Sequence, residues 1–227
     1  DYDGERLTFE GRHSHSYLTQ LLRSSSLLER ARERGIGKPD SVSVAGVLRT
    51  SDAKLVLGLR GGQTFSDTYM VVPAGSVEYH TGENPLFESF AKEVGEELGI
   101  LEGGRIELSS VGIVGRTFDN TLSNNSLYVF RGDLEVSFKD LTGYWYHAVD
   151  RDEHRTLTAL PDDPSGILGF IERNVYTPQS GRATESHNIL TVLPPCAGSL
   201  LTYLSQREGQ EFIDEMGDRL SGEYGFS

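Results

Sequence analysis

A chain of 227 residues has room for one generous domain, or for a core domain extended at both ends, and is short for two full enzymatic domains. Its apolar share of 37% and its ten Phe and ten Tyr exclude a disordered chain, because that much apolar surface can offset the entropy of ordering. A net charge of −13 repels phosphate backbones and anionic lipid surfaces, which argues against nucleic acid and membrane as partners, and the single cysteine, Cys196, excludes an intramolecular disulfide and reads as a small buried hydrophobe.

The start, with Asp1, Asp3 and Glu5, lacks the basic and apolar regions of a signal peptide, and the chain has no apolar run long enough to span a bilayer, so a cytoplasmic location is the expectation. From Tyr17 to Arg34, Leu18, Leu21, Leu22, Leu27 and Leu28 recur at helical spacing, and Gly35 with Pro39 supplies a stop. Two β-like runs follow, Ser41 to Arg49 and Lys54 to Arg60, joined as a hairpin by Thr50-Ser51-Asp52-Ala53. A short strand from Tyr69 to Val72 is closed by Pro73 and opens into a loop at Gly75.

The spacing next predicts a helix from Pro85 to Leu98. Asn84 is a favourable N-cap, Pro85 suits the first helical position, and Gly99 suits the residue past the end. At about 100° per residue, Leu86, Phe87, Phe90, Ala91, Val94 and Leu98 form a stripe that must face the core. Glu93 and Glu97 lie at one edge of the stripe and Glu96 just beyond it, so three carboxylates gather where the helix meets solvent. Their mutual repulsion is relieved by a hard divalent cation, which takes oxygen ligands; a solvated acidic face is the alternative.

Further strands are expected at Ile106 to Arg116, Ser126 to Arg131 and Tyr144 to Val149, and helices at Ser165 to Arg173 and Gly198 to Arg219. Pro161, Pro164, Pro178, Pro194 and Pro195 punctuate the last third, which suggests a boundary near Pro161. The expected organisation is an N-terminal extension with a helix (1–40), a core domain (41–160) and a C-terminal helical extension packed on it (161–227). The order of elements predicts an α/β (α+β) fold, a mixed sheet covered by helices.

The stretch Pro73-Ala74-Gly75-Ser76-Val77-Glu78, then Gly82-Glu83-Asn84-Pro85, then Lys92-Glu93-Val94-Gly95-Glu96-Glu97-Leu98-Gly99-Ile100 resembles the Nudix box, Gx5Ex7REUxEExGU with U aliphatic. Its C-terminal half fits closely, with Lys92 in place of the Arg. At the front, strict spacing sets Glu78 and Asn84 at the box Gly and Glu, whereas a longer loop sets Gly75 and Glu83 there; the second alignment is preferred, because Gly75 follows a strand and Pro-Ala. The likeness extends more loosely over Ser41 to about Asp150.

This resemblance implies an α/β/α sandwich and hydrolysis of a diphosphate linkage in a nucleoside diphosphate joined to another group, with Mg²⁺ or Mn²⁺ as cofactor. It implies Gly75, Glu93, Glu96 and Glu97 as metal ligands, with Glu93 or Glu96 also accepting the proton from water. Arg60, in the lead-in to the box, His80, in the box loop, and Phe118, an aromatic able to stack on a base, are the candidate substrate-binding residues. Asp119 and Glu135 are further candidate ligands. The flanks, 1–40 and 161–227, are left to lend specificity, homodimer contacts or packing. A rival expectation is a Nudix-like binding or regulatory domain without catalysis, which Lys92 and the longer loop would permit.

Overall fold

The structure, a computed structural model, describes residues 41–61, 66–78, 84–100, 108–119, 125–174 and 191–209, with residues 33, 211, 212, 214 and 215. The chain divides into two compact units, Asp1–Ser41 and Val42–Ser227. The helix expected from Tyr17 to Arg34 falls outside the described residues except for Glu33, which is helical.

Among the described residues, eight strands form one mixed sheet: β1 (Ser41–Arg49), β2 (Lys54–Arg60), β3 (Thr68–Val71), β4 (Ala74–Ser76), β5 (Leu108–Asp119), β6 (Asn125–Leu134), β7 (His154–Pro161) and β8 (Thr191–Val192). Their order is β5-β6-β1-β2-β3-β8, with β4 paired to β1 and β7 paired to β2. The β3–β8 pair is parallel, whereas β1–β4, β2–β3, β2–β7 and β5–β6 are antiparallel. The predicted hairpin is present, closed by Thr50 N donating to Lys54 O at 2.8 Å, with Ala53 at a φ of 56°. Arg49 pairs with Leu55 beside the turn. Beyond it β1 takes β4 and β6 as neighbours, and β2 takes β3 and β7.

Alternation along these strands sends side chains to both faces, and both faces are covered. Val44 and Leu48 of β1, Val56 of β2 and Tyr128 and Phe130 of β6 enter one apolar cluster. Ala45 and Val47, Leu55 and Leu57, and Leu127 and Val129 of the same strands enter another. The first is closed by α1 (Pro85–Leu98) and α2 (Phe138–Trp145), and the second by α3 (Pro164–Asn174) and α4 (Pro194–Glu208). The result is helix layers on both sides of a mixed sheet, the α/β/α arrangement and α+β class expected from the sequence. Among the described residues no helix is long and apolar enough to cross a membrane.

Helix α1 has the predicted limits. Asn84 Oδ1 accepts from Phe87 N at 3.1 Å, Pro85 opens the first turn, and Gly99 closes the helix in the left-handed region with φ of 70°. Gly99 is required twice over, because a Cβ there would also come within 2.6 Å of the Tyr144 carbonyl. The buried stripe is Leu86, Phe90, Val94 and Leu98, with Ser89 and Glu97 beside it, and Phe87, expected in the stripe, is exposed.

Three expectations are corrected, and one strand was not foreseen. Tyr144 to Val149 is not a strand: α2 ends at Trp145 and turns follow. Alternation does fit this run, since Trp145 is buried while Tyr144 and Tyr146 are exposed, but Leu141, four residues before Trp145, enters the same cluster, and Ser137 Oγ caps the helix by accepting from Asp140 N at 3.2 Å. Gly75 opens no loop, because β4 pairs with β1 through it, opposite Val44. The helix expected from Gly198 starts earlier, as α4 begins at Pro194, since proline is tolerated in a first helical turn, where no N–H is needed; α4 runs to Glu208, while Glu211, Phe212, Asp214 and Glu215 are helical again, and the rest of the expected span to Arg219 lies outside the described residues. Strand β7 was not anticipated at all: its buried residues, His154, Leu157 and Leu160, recur every third position and hide the two-residue period. Cys196, as expected, is a buried free thiol, and burial pushes its pKa up to about 12.

Candidate metal centre

Helix α1 carries the site because its own packing fixes the helix's rotation. With Leu86, Phe90, Val94 and Leu98 held against the sheet, Glu93 and Glu96 are partly buried and Glu97 turns inward to 2% exposure. A carboxylate at that depth needs partners. Glu97 Oε1 accepts from Ala74 N at 2.8 Å, and Glu97 Oε2 lies 2.7 Å from His154 Nε2. Strand β4 therefore holds one oxygen and β7 the other.

Gly75, the next residue of β4, lies so close to Glu93 that a Cβ there would collide with the Glu93 carboxylate. A side chain here would force the Glu93 carboxylate away from the β4 backbone, which glycine lets come near. The segment beyond β4 is tied back to α1, as Glu78 N donates to Ser89 Oγ at 3.1 Å and Lys92 Nζ donates to Glu78 Oε1 at 2.7 Å. Lys92 also stands 3.4 Å from Glu96 Oε2. As a compact point charge, the lysine joins the turn after β4 to the acidic face without a planar fork.

Two site residues lie outside the box. Strand β7 pairs with β2 along its length, with Arg60 opposite His154 across a bulge, and the single 3-10 turn Arg151–Glu153 precedes it. This register delivers Glu153 and His154 to Glu97: one ligating atom from each of the three lies within 4.8 Å of the others. Arg60, a candidate substrate residue, lies beside Glu153, its Nη2 3.7 Å from Glu153 Oε2.

The structure thus brings together Gly75, Glu93 and Glu97 and adds Glu153 and His154, with Arg60 and Glu96 at the margin. Glu135 is exposed just past β6. His80 and Glu83 lie outside the described residues; Phe118 and Asp119 belong to β5, where their backbones pair with Ser126 and Asn125, and their side chains lie outside the description. Glu153 and His154 were missed because no local motif contains them. A sequence signal was the pair of β-branched residues that follows, Thr156 and Thr158 on either side of Leu157.

Crowding of like charges leaves an electrostatic mark. Burial, then the negative charges of Glu97 and Glu96, push the Glu93 carboxyl up from 4.5 to about 8. Glu153 is raised in the same way, by burial and then by Glu97. A folded protein that holds this proton more tightly than the unfolded chain loses stability as pH rises between the two values. In the presence of a chelator, the melting temperature is therefore expected to fall as pH rises from 4.5 to about 8, with a shallower fall in Glu93→Gln. Equal slopes for the two proteins in melts across this range would count against the assigned environment of Glu93.

The donor set fits a hard divalent cation. Glu93, Glu96, Glu97 and Glu153 offer carboxylate oxygens, the ligands that Mg²⁺ and Mn²⁺ take, and a cation among them would offset both the burial and the repulsion that raise Glu93 and Glu153.

No protein-family model matches the chain, and no curated protein does. Solved structures similar to it include proteins described as Nudix or MutT. One is a MutT protein from Methanosarcina mazei Go1, 21% identical, with 75% of this chain and 95% of that one covered and a TM-score of 0.42. A NUDIX hydrolase from Nitrosomonas europaea is 17% identical, covering 74% of this chain and 90% of that one at a TM-score of 0.42. A bifunctional NMN adenylyltransferase/ADP ribose pyrophosphatase from Francisella tularensis, complexed with AMP and a manganese ion, is 12% identical at a TM-score of 0.45; the match takes in 85% of this chain and 52% of that one, so this chain spans about half its length.

Proposed function

We propose that this protein is a metal-dependent hydrolase of a diphosphate linkage, acting on a nucleoside diphosphate joined to another group. The observation that carries the reading is Glu97: a carboxylate 2% exposed, held by a backbone N–H and an imidazole and surrounded by Glu93 and Glu153, whose proton affinities it raises. A fold that needed only packing would not collect two carboxylates around a buried one, because each addition costs free energy until a cation offsets it.

Glu97 and Glu93 would hold Mg²⁺ or Mn²⁺, with Glu96 and the Gly75 carbonyl completing the set. When bound, the ion polarises the phosphoryl oxygens and makes water a better nucleophile. The chain's own groups do the rest. Glu93 or Glu96 accepts the proton from the attacking water. Glu153, held toward Arg60, stands ready as a second acceptor. Lys92 keeps Glu96 and Glu78 in place. Arg60, His80 and Phe118 are proposed to meet the substrate beyond the reacting phosphates.

The test is a panel of diphosphate compounds, ADP-ribose among them, incubated with the full chain in Mn²⁺, in Mg²⁺ or in chelator. Release of phosphate monoesters that stops on chelation supports the reading. Calorimetric binding of a panel member with no product in either metal would replace it with a binding or regulatory domain.

A further inference from the structure

His154 is almost fully buried, with its side chain 1% exposed, and it touches the site through one atom, Nε2, 2.7 Å from Glu97 Oε2. A role as metal ligand fits this geometry poorly. The Nε2 lone pair would have to point at the ion, yet Nε2 sits at hydrogen-bond distance from the carboxylate. A metal-bound imidazole also ordinarily passes its other N–H to an acceptor, whereas Nδ1 has no hydrogen-bond partner among the described residues and faces Gly58. With no acceptor at Nδ1 and a carboxylate at Nε2, the proton belongs on Nε2, which makes His154 a donor to Glu97.

That donation has a geometric consequence. Each carboxylate oxygen has room for two partners. Oε1 takes Ala74 N at 2.8 Å and Oε2 takes His154 Nε2 at 2.7 Å, so each keeps one free lone pair and the carboxylate plane is fixed from both sides. The imidazole in turn has one place to be. A Cβ on Gly58 would collide with Nδ1 and come within 2.7 Å of Cε1 and Cγ, so the ring lies flat on the bare backbone of β2.

We propose that His154, seated on Gly58, is a positioning residue that presets the Glu97 carboxylate for a divalent cation. The inference rests on the metal-centre reading of Glu97 and adds the device that orients it: a donor from β7 and a glycine seat in β2, both outside the box.

The experiment measures Mn²⁺ affinity of the full chain, from the electron paramagnetic resonance signal of free Mn²⁺, alongside melting temperature in chelator. Four variants are compared with the parent: His154→Gln, His154→Asn, His154→Leu and Gly58→Ala. The glutamine amide nitrogen reaches the place of Nε2, while the asparagine nitrogen stops near Nδ1. Positioning predicts near-parental Mn²⁺ affinity for Gln and weakening by about 10- to 100-fold for Asn and Leu, the usual effect of losing a group that orients a metal ligand. Gly58→Ala, which keeps every polar group but displaces the ring, is expected to weaken Mn²⁺ binding in the same sense. If Leu does not fold, the Gln and Asn pair still decides. Equal affinities in Gln and Asn, or affinities that simply track melting temperature, overturn the proposal while leaving the metal centre standing; a parent protein that takes up no Mn²⁺ removes both.

Discussion

Glu97→Gln is expected to lower metal-dependent hydrolysis by at least about 10²-fold, the scale on which losing one preorganised charge-stabilising group acts, while the protein stays folded. The substitution keeps the size and both hydrogen-bonding ends of the side chain. Its carbonyl can still accept from Ala74 N, and its amide can face His154 if the imidazole changes tautomer. What is lost is the negative charge at the most buried point of the cluster. Glu93 and Glu153, both raised in part by that charge, should then ionise more readily, so the variant without metal should be no less stable than the parent. Initial rates in Mn²⁺ and thermal melts in chelator check the two halves. Undiminished turnover would remove Glu97 from the catalytic centre, and a collapsed melt would make its role structural.

Phe90→Ala is expected to cost about 3–5 kcal/mol of stability, as for other buried phenylalanines cut back to alanine. This is a large part of the roughly 5–15 kcal/mol that holds a typical domain together. Phe90 is 0% exposed, and its ring stacks on Phe130 of β6 with centroids 4.4 Å apart and planes 6° from parallel. Truncation opens a cavity between α1 and the sheet one turn below the glutamates. Denaturant unfolding should show the loss as a shifted midpoint at unchanged slope, and a cost below about 1 kcal/mol would mean that α1 is not anchored there. At temperatures where the variant is still folded, its Mn²⁺ affinity should fall far less than that of Glu97→Gln, which separates the helix's anchor from its chemistry.

Much of α1 was legible before any coordinates. Asn84, Pro85 and Gly99 act within one turn of their own positions, so caps and limits can be read residue by residue, and the Glu93, Glu96 and Glu97 spacing is a property of helical geometry alone. The hairpin turn was legible for the same reason. Tyr144 to Val149 was not, since two periods fitted the same aromatics and only the burial of Leu141 beside Trp145 chose between them. Strand β7 was harder still, with a bulge and a three-residue burial rhythm in place of clean alternation.

The sequence by itself determined a globular α+β chain and an acidic helix with sharp ends and an apolar stripe, because these follow from composition and from interactions between near neighbours along the chain. Tertiary structure alone decided that Glu97 turns inward, that Gly75 lies against Glu93, and that Glu153 and His154 join them from β7. Those contacts depend on which strand pairs with which and in what register, and a register is chosen by the combined burial of residues far apart in the chain, which no local window contains.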